Sequence, residues 1–152
     1  MDFKIFQKPV IKKPFAFSSS AEVYEKMKGY QKADREIFIL LFLNAKNIVT
    51  NIETHSIGTV DSSAVYPQQI LRSALLNNAC SLICVHNHPS GDPAPSVSDK
   101  EITKQIGIGS HVIGIRLLDH VVLGDGGRYF SFADDGLIDD YQAESENIFI
   151  KD

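Results

Sequence analysis

His86 and His88 stand two residues apart, and Asp99 follows eleven residues after His88. The histidines close an apolar run, Ser81-Leu82-Ile83-Cys84-Val85, that reads as a buried strand. Residues i and i+2 of a strand share a face, so both imidazoles leave the sheet on one side. Two neutral nitrogens and one carboxylate oxygen suit zinc, and three protein ligands keep the fourth tetrahedral position open for water, as a catalytic ion requires. A histidine pair at a strand end also has a plain structural reading. Ser96-x-x-Asp99 ahead of a helical stretch likewise matches a capping box, in which Ser96 caps the backbone and Asp99 favours the positive helix end. The two readings of Asp99 are compatible, because a carboxylate in a first helical turn is able to reach a metal.

Taken together, His86-x-His88-Pro89 with Ser96 and Asp99 resembles the metal signature of the JAMM (JAB/MPN) metalloprotease superfamily. The fuller string His86-Asn87-His88-Pro89-Ser90-Gly91-Asp92-Pro93-x-Pro95-Ser96-x-x-Asp99 resembles its RadC branch. The likeness runs from about Asp34 to Ile138 and includes Arg35-Glu36, Val65-Tyr66-Pro67, Leu118-Asp119-His120 and Tyr129-Phe130-Ser131-Phe132. The resemblance implies an α/β fold with a JAB/MPN, cytidine-deaminase-like core: a mixed central sheet flanked by helices. It implies a zinc metallohydrolase acting on a peptide or isopeptide bond of a peptide or protein substrate, with His86, His88 and Asp99 as ligands.

Such hydrolysis needs a carboxylate to take the proton from the attacking water and hand it to the leaving amine. The histidine loop holds no glutamate. In the family the catalytic glutamate opens an apolar strand, Glu-x-x-x-Leu-Leu, and Glu36 matches that position; Glu53 on the following strand is its competitor. Ser96 matches the serine that donates to the oxyanion of the attacked carbonyl. The rival expectation is a non-catalytic or DNA-associated module, since the family carries a historical link to DNA repair; salt-dependent binding to duplex DNA would distinguish it.

Composition narrows the classes. A chain of 152 residues, 43% hydrophobic and 22% charged, is that of one soluble globular domain. No run approaches a membrane span, and the N-terminus lacks the apolar segment of a secretory signal, so the cytoplasm is the expected compartment. Cys80 and Cys84 beside the buried strand are expected as buried, reduced thiols. Residues 1–32 carry seven lysines against three acids, whereas residues 119–152 carry nine acids against two basic groups. The catalytic half thus lacks the dense basic face of a nucleic-acid binder. The basic arm could touch phosphate, although a solvated strand explains it more simply.

The elements that must position these residues follow in order. Residues 1–29 are expected as a basic arm and a short helix, 30–140 as the metallohydrolase domain, and 141–152 as an acidic tail. The arm, with Phe3, Ile5, Val10, Ile11, Phe15 and Phe17 among lysines, could pair with a sheet edge or with a second copy in a homodimer. A helix over 21–27 follows Ser18-Ser19-Ser20, and Gly29 is expected to stop it. The apolar run 36–43 predicts a central strand, and the alternating segment 48–56 predicts the return of a hairpin. Asp61 or Ser62 is expected to cap a helix reaching about Asn77, with Pro67 in its opening turns. Beyond the histidine loop come a helix over 97–106, strands over 112–117 and 120–123, a hairpin closed by 128–132, and a surface segment over 133–138. About six strands result. His55, expected on an exposed strand face, and His111, expected at a turn, are weaker candidates. Asp119 and His120 are neighbours in a strand and point opposite ways, so at most one can face the metal, and both are expected to be structural. The letters His-Asn-His do not indicate an HNH nuclease, whose motif is spread along a longer unit.

Overall fold

The computed structural model describes residues 15–58 and 64–148. Residues 1–14 of the expected arm and the caps at Asp61 and Ser62 fall outside this range, as do residues 149–152. The described end of the arm meets the sheet edge, Ala16 bridging Ile48 and Phe15 O accepting from Val49 N at 2.9 Å. Helix α1 (Ser20–Met27) starts at Ser19, whose side chain accepts from the Glu22 N–H. Gly29 does not stop the chain's winding, which continues as a 3-10 helix over Lys28–Lys32. Strands β1 (Ile37–Leu43) and β2 (Val49–Ile57) form the expected hairpin. Helix α2 (Pro67–Leu76) begins at Pro67, where a missing N–H costs nothing. Strand β3 (Ser81–Asn87), helix α3 (Val97–Val112), strand β4 (Arg116–Leu123), strand β5 (Tyr129–Ser131) and helix α4 (Leu137–Asn147) complete the order.

The described residues form one five-stranded sheet in the order β2-β1-β3-β4-β5, rather than the six strands expected. Strands β3 and β4 are parallel and the other neighbours antiparallel. The count differs because α3 runs on to Val112 and the two short strands expected after it are one. Gly114, at φ +81, closes α3 with bonds from Ile115 N to Ser110 O and from Gly114 N to His111 O, the paired closure that a left-handed residue permits. Strand β4 then absorbs Leu118 as an extra residue, since Leu82 pairs with Leu117 and Ile83 with Asp119. The segment 133–138 is not wholly surface: Ile138 is buried, and Tyr141, one turn further along α4, is buried beside it.

The period-2 alternation of β1 explains its unbroken apolar sequence, because both faces of the sheet are covered. Phe38, Leu40 and Phe42 join Leu82, Cys84 and Val122 beneath Ile70 and Ala74 of α2, Ile106 of α3 and Tyr141 of α4. Ile37, Ile39, Leu41 and Leu43 join Val85 and Val121 beneath Val23 and Met27 of α1. His86 lies on the first of these faces, two residues beyond Cys84. Cys84 is buried but Cys80 is exposed, which corrects the expectation that both thiols are covered. None of the described helices is long and apolar enough to cross a membrane.

The loop after β3 is tied down rather than free. Gly91, at φ +90, gives its carbonyl to Asp125 N at 2.8 Å and to the Arg128 guanidinium at 3.0 Å. The Gln31 amide donates to His88 O and to Asp125, each at 2.9 Å. A Cβ at Gly91 would meet the Asp125 carboxylate, its Cγ at 2.8 Å, whereas one at Gly126, also at positive φ, would meet nothing. Gly91→Ala is therefore expected to cost about 2–3 kcal/mol against about 1 kcal/mol for Gly126→Ala, since only the first adds a clash to backbone strain. Denaturant unfolding of the two variants measures the difference.

Candidate metal centre

Three segments meet at one end of the sheet: the start of β1, the end of β3 and the first turn of α3. His86 is the sixth residue of β3, and His88 follows just past the strand with its N–H on Leu123 O at 3.0 Å. Their Nε2 atoms face each other at 3.0 Å. The Asp99 carboxylate closes the group, Oδ2 at 3.1 Å from His88 Nε2 and Oδ1 at 3.4 Å from His86 Nε2. One ligand atom from each of His86, His88 and Asp99 falls within 4.8 Å of the others, a donor set that could hold a metal ion.

Asp99 holds its place through the helix it begins. Ser96 Oγ accepts from Asp99 N at 3.0 Å, and the Asp99 carboxylate accepts from Ser96 N at 2.8 Å, a reciprocal capping box. The same carboxylate thus caps α3 and faces both imidazoles. Ser96 is exposed, and its hydroxyl accepts in this bond, which leaves its proton available for another partner.

Glu36 immediately precedes β1, is 9% exposed, and brings Oε1 to 3.9 Å from His88 Nε2. Asn87, fully buried between the two histidines, places it there. Its side chain accepts from Ile37 N at 2.7 Å and donates to Arg35 O at 3.0 Å, gripping the backbone on either side of Glu36. Glu53, the competing carboxylate, lies elsewhere on β2 and accepts from the Ser73 hydroxyl at 3.0 Å.

The outer edges of both imidazoles are also engaged. His88 Nδ1 lies 2.8 Å from Asp92 O; a carbonyl only accepts, so that nitrogen carries the proton. His86 Nδ1 lies 2.7 Å from His120 Nε2. His120, expected as a structural residue, is buried on the same face of the sheet, its ring stacked on Phe132 at 4.8 Å. Asp119 points the other way and accepts from Ser131 and from Ala133 N. Strand alternation rightly separates Asp119 from His120, but the sequence does not reveal that His120 lies beside Cys84 and within reach of His86. Thr103 also escapes sequence reasoning, although its place one turn after Asp99 on α3 puts the two on one helix face. His55 accepts from Tyr66 N at 3.2 Å and does not join the cluster.

Burial is the main influence lowering the affinity of His86 for a proton, only partly offset by Asp99. Burial, then the neighbouring His86, pushes His120 well below the ordinary histidine value. For His88 burial also acts downward, but the Asp99 and Asp92 hydrogen bonds with the Asp99 and Glu36 charges outweigh it and raise the group. Burial alone would raise Asp99, yet its bonds to the two imidazoles hold it far below the usual carboxylate range.

These directions predict a stability optimum in chelator-stripped protein. Below about pH 6.5 the unfolded chain protonates histidines that the fold keeps neutral at positions 86 and 120, so stability falls as pH falls. Above that value the fold retains a proton on His88 that the unfolded chain has released, so stability falls as pH rises through the raised value. Melting temperatures across about pH 5.5–8 should peak near 6.5, the free histidine value.

Comparison with known proteins identifies the family of the chain. The RadC-like JAB domain matches residues 17–137. A UPF0758 protein of Methanosarcina mazei is 43% identical over 116 residues, 76% of this chain and 49% of the relative. One from Desulforudis audaxviator is 46% identical over 103 residues, 68% of this chain and 44% of its own. Another, from Trichlorobacter lovleyi, is 40% identical over 123 residues, covering 80% and 53%. The chain spans about half the length of these curated relatives. The mixed sheet with helices on both faces is consistent with a JAB/MPN domain, and the chain belongs to the RadC-like JAB domain family.

Proposed function

We propose that this domain is a zinc-dependent hydrolase of the JAMM type that cleaves a peptide or isopeptide bond. The observation that carries the reading is the gathering of His86 Nε2, His88 Nε2 and the Asp99 carboxylate within 4.8 Å, with the Glu36 carboxylate 3.9 Å from His88 Nε2. Two imidazole nitrogens and one carboxylate fit zinc, and the two nitrogens point inward because His88 and His86 are both held from behind. His86, His88 and Asp99 would hold the ion, which when bound would supply Lewis acidity toward a water and the scissile carbonyl.

The remaining work falls to the chain. Glu36, fixed by the Asn87 grip on Arg35 and Ile37, takes a proton from the attacking water and passes it to the leaving nitrogen. Its side chain is largely shielded from bulk water, so the proton it takes passes to substrate rather than to solvent. Ser96 accepts from Asp99 N and turns its own proton toward the oxyanion of the attacked carbonyl.

Glu36→Gln should keep stoichiometric zinc and lose hydrolysis, whereas His86→Ala and Asp99→Ala should lose the ion; metal analysis of the purified variants, paired with a panel of peptide and isopeptide substrates, separates the two roles. Full turnover by Glu36→Gln would remove Glu36 from the mechanism. Ser96→Ala separates cap from catalyst. Loss of the cap alone costs about 1 kcal/mol of stability. Loss of an oxyanion donor lowers turnover roughly 10²- to 10³-fold.

A further inference from the structure

Behind the cluster runs a chain of short polar contacts sealed from water. His86 Nδ1 is 2.7 Å from His120 Nε2, His120 Nδ1 is 2.6 Å from Thr103 Oγ1, and Thr103 Oγ1 is 2.6 Å from the Asp99 carbonyl. His86 and His120 are 1% exposed and Thr103 is 0% exposed. Phe38 stacks on His86 and meets His120 in a T-shaped contact, while Phe132 stacks on His120.

The proton positions in this chain follow from which atoms can only accept. A carbonyl cannot donate, so the Thr103 hydroxyl proton lies on the contact to Asp99 O. That proton cannot also serve the 2.6 Å contact to His120, so the proton there comes from His120 Nδ1. A neutral His120 protonated at Nδ1 offers only a lone pair at Nε2, so the 2.7 Å contact to His86 takes its proton from His86 Nδ1. His86 Nε2 is then left with its lone pair directed at His88 and Asp99. Reversing any one bond would set two acceptors against each other in a space without water, at a cost comparable to an unpaired buried polar group.

We propose that His120 is a positioning residue that fixes the His86 tautomer, with Thr103 relaying the direction from the backbone carbonyl of Asp99. This rests on the reading of His86, His88 and Asp99 as zinc ligands. Asp99 thereby acts twice: its carboxylate faces the ion's place directly, and its carbonyl orients the imidazole opposite through Thr103 and His120. A metal-ligating histidine ordinarily has its outer N–H held by a carboxylate, carbonyl or water; here a second imidazole takes that role.

The test uses the full chain with 15N-labelled histidine. In chelator-stripped wild-type protein, two-bond 1H–15N correlations should show His86 protonated at Nδ1 and bare at Nε2. Protonation at Nε2 instead would overturn the proposal whether or not zinc binds. In competition titrations, His120→Phe, which keeps a flat apolar ring but no nitrogen, should weaken zinc binding by about 10- to 100-fold. His120→Gln, whose amide oxygen reaches the place of Nε2, should restore most of the affinity and the Nδ1–H signature. His120→Asn, too short to reach His86, should not. Thr103→Val should produce a smaller loss with a mixed tautomer signal. Wild-type protein that binds no zinc would reject the ligand reading and leave the tautomer measurement to decide the relay. Zinc bound equally well by wild type and folded His120→Phe would reject the role of His120. Should His120→Phe fail to fold by circular dichroism, the Gln and Asn pair decides the matter: equal affinity in the two overturns the proposal.

Discussion

Three lone-pair groups crowded to within 3.0–3.4 Å of one another are an unfavourable arrangement unless something positive lies among them. His86 cannot carry that charge cheaply, because it is buried in an apolar wall. His88, half-buried and flanked by Asp99 and Glu36, is the imidazole that holds a proton most readily. The cluster therefore favours one cation, which could be a proton on His88 or a metal ion among all three. Proton and metal compete for the same electrons, and this competition couples the site to pH.

The rest of the fold answers the question of how such a group is kept from relaxing apart. Strand β3 lies at the middle of the sheet, with β1 antiparallel on one side and β4 parallel on the other. Its last residues inherit the rigidity of both ladders. His86 looks into the face covered by α2 and α3, while Asn87, between the histidines, commits both ends of its amide to the chain around Glu36. The loop that returns the chain to α3 is pinned by Gln31, Asp125 and Arg128, three residues remote in sequence that grip its backbone at His88 and Gly91. Precision at the site is a property of the whole sheet end, not of the loop that carries the motif.

Much of this was legible in the chain. The spacing of His86, His88 and Asp99 on a strand, a Pro-rich loop and a helix start contains nearly the whole donor set, because each local rule points the same way. Glu36 was reachable only through family likeness, since nothing local ties residue 36 to residue 88. What stayed hidden depends on register. His120 and Thr103 are ordinary residues of a strand and a helix until β4 is laid parallel to β3 with one extra residue at Leu118. The absence of a sixth strand among the described residues has a different origin: Val112 and Ile113 are β-branched and read as sheet, but a Schellman closure at Gly114 keeps that stretch helical to its end.

The capping box at the head of α3 is closed by an unusually short side chain. Helix starts of this type commonly carry glutamate or glutamine at the third position, whose longer arm reaches back to the cap with ease. Here the residue is aspartate, and its carboxylate is shared between a backbone amide and two imidazoles. One more methylene would suit the helix yet drive the oxygens into the histidine rings. The length of that side chain is therefore dictated by the two imidazoles it faces and merely tolerated by the helix, which makes residue 99 a point where secondary-structure preference and site architecture pull in opposite directions and architecture prevails.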